Sequence, residues 1–152
     1  MSGELTTVAF AASPFFELRG AIPFAIFVLG LPAWKAYLLG ILGSSLPVLP
    51  LLFFWNFFYE KTIHRFYQLN RFFNWLFERT RVKHANHFAL WHDLALLVFV
   101  AIPLPLTGAW SGTVAAFVFG IPMKQAALMI FLGNVISGLI VLLLSKTTLL
   151  FL

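Results

Sequence analysis

The sequence contains no cysteine, which excludes disulfides, thiol chemistry and cysteine-ligated metals. Charge is scarce as well: Asp, Glu, Lys and Arg make up 10% of its 152 residues, against about 25% in ordinary soluble domains. The first residues, MSGELTTVAFAASPF, lack the basic start of a signal peptide, so insertion is expected to rely on later hydrophobic segments. There is no glycine–lysine phosphate loop and no nucleophile–base pair. His64, His84, His87 and His92 follow no zinc-like spacing in an apolar segment. Nucleotide binding and hydrolysis therefore rank low, and the chain is expected to be neither an enzyme nor the holder of a cofactor or metal.

Apolar sequence fills the space that charge leaves. Hydrophobic residues account for 61% and aromatic ones for 18%, with a mean hydropathy of +0.94. Three tracts dominate, around 31–58, 88–106 and 125–144, and the polar remainder is too small to cover a water-exposed globule. An integral membrane protein follows, multi-pass and expected in the cell membrane. The net charge of +5 does not point to nucleic acid, because six of the ten Lys and Arg residues lie between Lys61 and Lys83, beside an apolar tract. Such clustering marks a cytoplasmic face, expected here over 61–87, where basic residues also attract anionic lipid headgroups.

The chain is organised around PFFELRGAIPFAIF, which places Glu17, Arg19, Gly20 and two prolines inside strongly apolar sequence. An ionisable residue in such a segment is a site hypothesis, and proline and glycine make poor material for one straight spanning helix. The segment 14–29 is therefore expected to be re-entrant or discontinuous. Residues 1–13 read as a lead-in. Pro32 suits the first turn of a helix expected to reach about Tyr59, kinked at Pro47 and Pro50, with Gly40, Gly43, Ser44 and Ser45 as a small-residue packing face. Over 60–78, Ile63, Phe66, Phe73, Leu76 and Phe77 oppose His64, Arg65, Gln68, Arg71 and Glu78, the pattern of an amphipathic helix lying in the membrane surface. A polar loop follows over 79–87. Trp91-His92-Asp93 opens a second apolar segment that breaks at PLPLTGAWSG, and a last helix is expected from Pro122 to about Leu144.

Two stretches agree beyond shared hydrophobicity. GLPAWKAYLLGILGS from Gly30 aligns with GIPMKQAALMIFLGN from Gly120, pairing Pro32 with Pro122, Ala36 with Ala126, Gly43 with Gly133 and Ser44 with Asn134. Broken elements precede both, the sequence sign of a repeat-built transporter site. If each broken element is re-entrant, the halves are inverted. The expected fold is all-α: one membrane domain over 1–152, with a first repeat over about 14–59, an interfacial linker over about 60–88 and a second repeat over about 89–146.

Glu17 and Arg19 are the leading site candidates. Arg19 offers a permanently charged fork suited to phosphate or carboxylate, and Glu17 can bind a proton or a cation; the alternative is that the two neutralise one another and brace the loop. Gly20 lies beside them. Thr107, Gly108, Trp110 and Ser111 offer hydroxyls and accessible backbone N–H groups, a neutral cradle for an anion, or else simply complete the loop. Asn134 bonds the loop or joins a helix interface.

ELRGAIPFAI and IPLPLTGAWSG resemble the two signatures of the small multidrug export protein family, with the basic segment and the GN of the last helix in matching places. Leu106 stands where the family pattern usually has glycine, which implies a stiffer loop, and His92-Asp93 replaces a glycine-containing aromatic segment. The family is similar at a distance to the DedA and VTT membrane proteins, which pair re-entrant loops with transmembrane helices. The resemblance implies a transport fold without fixing a substrate. The expected function is a transporter or flippase of a lipidic anion such as a polyprenyl phosphate, with Arg19 on the headgroup and Glu17 carrying a coupling proton. A drug exporter and a non-transport scaffold are the alternatives. Membrane lipids and further copies of the chain are the expected partners, the latter through the glycine-rich faces.

Overall fold

The computed structural model describes residues 2–62, 87–104 and 107–151, with single positions between 68 and 78. Among them there is no strand. Seven helices carry the fold: α1 (Ser2–Ala12), α2 (Glu17–Phe27), α3 (Ala33–Ser45), α4 (Val48–Thr62), α5 (His87–Ala101), α6 (Ala109–Val118) and α7 (Met123–Phe151). The stretches 33–58 and 123–148 are each 26 residues long and apolar enough to cross a membrane. At 1.5 Å per residue each is about 39 Å long, more than the ~30 Å of hydrocarbon.

The surface of the molecule is strongly apolar, and several polar groups lie within its core. Leu42, Leu46, Leu49, Phe53 and Phe57 along the first stretch, and Leu128, Phe131, Leu139 and Leu143 along the second, face outward, whereas Thr7, Glu17, Ser44, Thr113, Asn134 and Ser137 are buried. An apolar exterior over polar interior groups suits lipid, where a backbone or side-chain polar group must find its partner inside the protein. This is a membrane protein.

Helices α1, α2 and α3 pack pairwise, and so do α5, α6 and α7; α7 then touches α2, α3 and α4, and α4 lies on α6. The repeat seen in the sequence is carried into these contacts. A Cβ on Gly40 would lie 2.9 Å from Ile22, and one on Gly112 would lie 3.4 Å from Ile130. Ninety positions separate Gly40 from Ile130 and Ile22 from Gly112. One pair of contact positions therefore recurs with the large and small partners exchanged. Gly43 likewise meets Val8 and Ala11 of α1, and Gly133 meets Leu97 and Val100 of α5.

The turns between the second and third helix of each unit also match. Gly30 and Gly120 have φ of 63° and 66°, a left-handed conformation that glycine adopts without a Cβ penalty. At Gly120 the closure is a Schellman motif, with Ile121 N–H donating to Ala116 O at 2.9 Å and Gly120 N–H to Phe117 O at 3.1 Å. At Gly30 it is one residue wider, with Leu31 N–H donating to Ala25 O at 2.9 Å.

Several expectations change in detail. The first residues are no mere lead-in, because α1 packs on α2 and α3 and buries Thr7 and Ala11. Pro32 is the N-cap of α3, extended at ψ 141°, and not a residue of its first turn. Pro47 interrupts the first long stretch between α3 and α4 while Pro50 lies in the first turn of α4, although Leu46 N–H still reaches Leu42 O and Leu51 N–H reaches Pro47 O. The last helix runs past Leu144 to Phe151. Gly40 and Gly43 are consumed inside the chain by Ile22, Val8 and Ala11, so that face is not free to join a second copy. Most of the amphipathic segment 60–78, residues 79–86 of the expected loop 79–87, and Leu106 lie outside the described residues, and His87 already belongs to α5.

Candidate functional site

The broken segments 14–29 and 103–119 each hold one short helix, α2 and α6, which pairs with the helix before it into a hairpin, α1–α2 and α5–α6, and the two hairpin tips meet. Pro14 and its neighbours form the first tip, where Ser13 Oγ accepts the Phe16 N–H at 3.3 Å and Ser13 O accepts the Glu17 N–H at 3.2 Å. Glu17 starts α2 at φ 47°, the one non-glycine positive φ among the described residues. For a residue with a Cβ this conformation costs on the order of 1–3 kcal/mol. The strained backbone turns a carboxylate that is only 8% exposed towards the second hairpin.

There the Glu17 side chain closes the start of α6. Its Oε1 accepts the Trp110 N–H at 3.3 Å, and its Oε2 occupies the space that a Cβ on Gly108 would need. Only glycine at 108 admits the carboxylate so closely. An acid suits this place, because helix N-termini carry orphan N–H groups and partial positive charge. Ser111 adds to the cap, its Oγ accepting the Gly108 N–H at 2.8 Å.

Arg19 reaches the other end of the same hairpin. Its Nη2 donates to Ile102 O and to Thr107 Oγ1, both at 3.1 Å. Thr107 Oγ1 itself lies 2.7 Å from Ile102 O and 2.9 Å from Leu104 O, so its single proton serves one of two carbonyls. Ile102 follows α5, and a cation beside the carbonyls that end a helix is well placed. Arg19 Nε is buried with no partner among the described residues.

Each member of the Glu17–Arg19 pair thus bonds the opposite hairpin. The ion pair among the described residues is Glu4–Lys35, and Glu17 and Arg19 form none. Trp110 completes the junction by donating its indole N–H to Ala12 O, at the end of α1, at 3.1 Å. Sequence reasoning missed this bond and the role of Ile102 O. Ala12 and Ile102 stand ninety positions apart, so extending the repeat back from Gly30 and Gly120 would have found both.

A cavity of about 590 Å³ opens at this junction, lined by Pro14, Phe15, Phe16, Glu17, Arg19, Gly20, Trp110 and Ser111. Phe15 is 90% exposed at its rim. Thr107 and Gly108 sit directly behind the lining, bonded to or packed on Arg19 and Glu17. Seven of the eight sequence candidates are therefore brought together. Asn134 is not among them: it is fully buried, and its Nδ2 donates to Ser45 Oγ at 3.4 Å, so it joins α7 to α3. Among the described residues no group of His, Asp or Glu could hold a metal.

The family model described as "Putative small multi-drug export protein" matches residues 17–140, a span that begins at Glu17 and takes in the tip of the second hairpin and both aligned stretches of the repeat. No curated protein and no solved structure matches the chain. With most of its length inside that match, the chain belongs to the small multi-drug export protein family.

Proposed function

We propose that this membrane protein is a transporter or flippase for an amphipathic anion such as a polyprenyl phosphate, with Arg19 binding the headgroup and Glu17 as the proton site. The observation that carries the reading is the convergence of Glu17 and Arg19 on one cavity at the meeting point of the two hairpins. Arg19 brings a guanidinium whose Nε has no protein partner among the described residues, and such a group invites an anionic oxygen. The exposed rings of Phe15 and Phe16 offer an apolar tail a surface beside that charge.

The bonds at the junction suggest how a proton is coupled. Protonated Glu17 is a poorer acceptor for the Trp110 N–H and a poorer counter-charge for the start of α6. Neutralising it loosens the grip of the first hairpin on the second, and Arg19 exchanges Ile102 O and Thr107 for the headgroup. In this reading both hairpins are re-entrant, the halves are inverted, the basic stretch 61–87 is cytoplasmic and the chain works as a homo-oligomer in the cell membrane.

The test is uptake of a short-chain polyprenyl phosphate into proteoliposomes under an imposed pH gradient, native protein against Arg19→Ala. Uptake that collapses in a folded variant supports the reading. Equal leakage from both, or none, removes it. A second reading, export of small drug-like molecules with Glu17 as the substrate charge, fits the family description about as well, and the aromatic lining beside the carboxylate favours it. Drug transport that depends on Glu17 and survives loss of Arg19 selects that reading, and a protein indifferent to both residues is a scaffold.

A further inference from the structure

Asn134, which the hairpin junction leaves out, belongs to a second polar cluster, set where α3 packs on α7. It lies halfway along the stretch 123–148, and Ser44 and Ser45 lie halfway along the stretch 33–58. Ser44 and Asn134 are also partners in the repeat, ninety positions apart. The cluster thus sits at the middle of both long stretches and between the two halves, where transporters built from repeats hold their ions.

Oxygen is in surplus there. Asn134 Oδ1 and Ser137 Oγ are fully buried and have no partner among the described residues, and idle buried polar groups are rare. Three positions apart on one helix, the two residues share a side of α7. The other half of the amide is engaged, its Nδ2 donating to Ser45 Oγ at 3.4 Å. Ser44 Oγ gives its proton to Ile41 O at 3.2 Å and keeps its lone pairs. Pro47, in the break between α3 and α4, has no N–H to offer the Gly43 carbonyl, which loses its regular helical donor. Oxygens that lack a donor call for a positive charge. All of these are neutral, so a divalent ion would find no carboxylate to offset its charge. The two idle oxygens are closed to a sphere of water's size, so the occupant they fit is a bare ion smaller than water.

We infer that the contact between α3 and α7 is a binding site for a small monovalent cation of the sodium class. Asn134 Oδ1, Ser137 Oγ and the two serine hydroxyls at the end of α3 are its ligands, and the Gly43 carbonyl completes the set. The ion ties the two halves together at their midpoint. Leu18, between Glu17 and Arg19, touches both helices there: a Cβ on Gly138 would lie 3.1 Å from it and one on Gly40 3.7 Å. Closure of α3 on α7 around the ion is therefore felt at the junction. The site does not depend on what the junction carries, and failure of the Arg19→Ala experiment leaves it standing.

The test is equilibrium dialysis of radiolabelled sodium against the full-length protein in neutral detergent, with choline chloride holding the ionic strength constant. Native protein should bind sodium saturably, and potassium, closer to water in size, should compete about tenfold more weakly. Ser137→Ala removes a single oxygen and should weaken binding about tenfold, and Asn134→Ala should weaken it further. Because Asn134→Ala also breaks the bond to Ser45, the smaller change decides the matter. Sodium should also raise the melting temperature of the native protein, and raise it less in Ser137→Ala. Absence of saturable binding, equal competition by potassium, or native affinity in Ser137→Ala overturns the assignment. So does a loss in Glu17→Gln that Ser137→Ala does not share, which would put the ion on the junction carboxylate.

Discussion

Arg19 and Trp110 perform one task from opposite halves of the chain. Arg19, two residues into α2, donates to Ile102 O at the end of α5, and Trp110, one residue into α6, donates its indole N–H to Ala12 O at the end of α1. Each hairpin is thus strapped to the other through the carbonyls that finish a helix, groups that have no intrahelical partner.

The two straps should be separable. Trp110→Phe deletes one N–H while retaining a ring, at a cost of about 1 kcal/mol, and Arg19→Gln deletes a charged donor at a cost of roughly 1.5–3 kcal/mol. Thermal unfolding in detergent measures both. Because the straps use different carbonyls, the double variant should lose the sum to within about 0.5 kcal/mol. Strong coupling would mean that the tips move as one body.

Glu17 carries two opposed effects that substitution can divide. Its left-handed backbone is costly, and its carboxylate caps α6. Glu17→Ala keeps the strain and loses the cap, whereas Glu17→Gly loses the cap and relieves the strain. The glycine variant should be the more stable of the two by about 1 kcal/mol. Equal melting temperatures would show that the positive φ stores nothing.

The fold was legible where the sequence punctuates itself. Gly30-Leu31-Pro32 and Gly120-Ile121-Pro122 announce the turns because a left-handed residue and a residue without an N–H leave few alternatives. The charged pair in apolar sequence marked the junction because lipid tolerates no idle charge. What stayed hidden was partnership across distance. From the sequence, Glu17 and Arg19 could reach one cavity or brace one loop, and nothing there showed that each bonds the opposite hairpin; α1 looked featureless because Thr7 and Ala11 are buried only by the helices it packs on. Asn134, grouped with the site by its polarity, bonds Ser45 because α3 and α7 bring them together.

Packing within each unit gives a test of the repeat. Gly40→Ala places a methyl 2.9 Å from Ile22 and should destabilise the protein by about 1–3 kcal/mol. Ile22→Ala removes the obstacle, so the double variant should be more stable than the two single losses predict, with a coupling of about 1 kcal/mol. Gly133→Ala meets both Val100 and the Leu97 carbonyl, and no side-chain truncation should rescue it fully. Full rescue by Val100→Ala would show that α5 can shift away from α7.

Inversion of the halves makes an opposite-face prediction for two residues at matching places in the repeat. Trp34 follows Pro32 at the start of α3, Lys124 follows Pro122 at the start of α7, and both are exposed. If the hairpins are re-entrant and the basic stretch is cytoplasmic, α3 starts on the outer face and α7 on the inner one. The absence of native cysteine makes each single-cysteine variant its own background. A membrane-impermeant maleimide should label Trp34→Cys in right-side-out vesicles and Lys124→Cys in inverted ones. Labelling of both from one face would mean that the units run parallel. One hairpin would then have to cross the bilayer, and because α1, α2 and α6 are each only about 15–17 Å long, it could do so only by thinning the hydrocarbon around it.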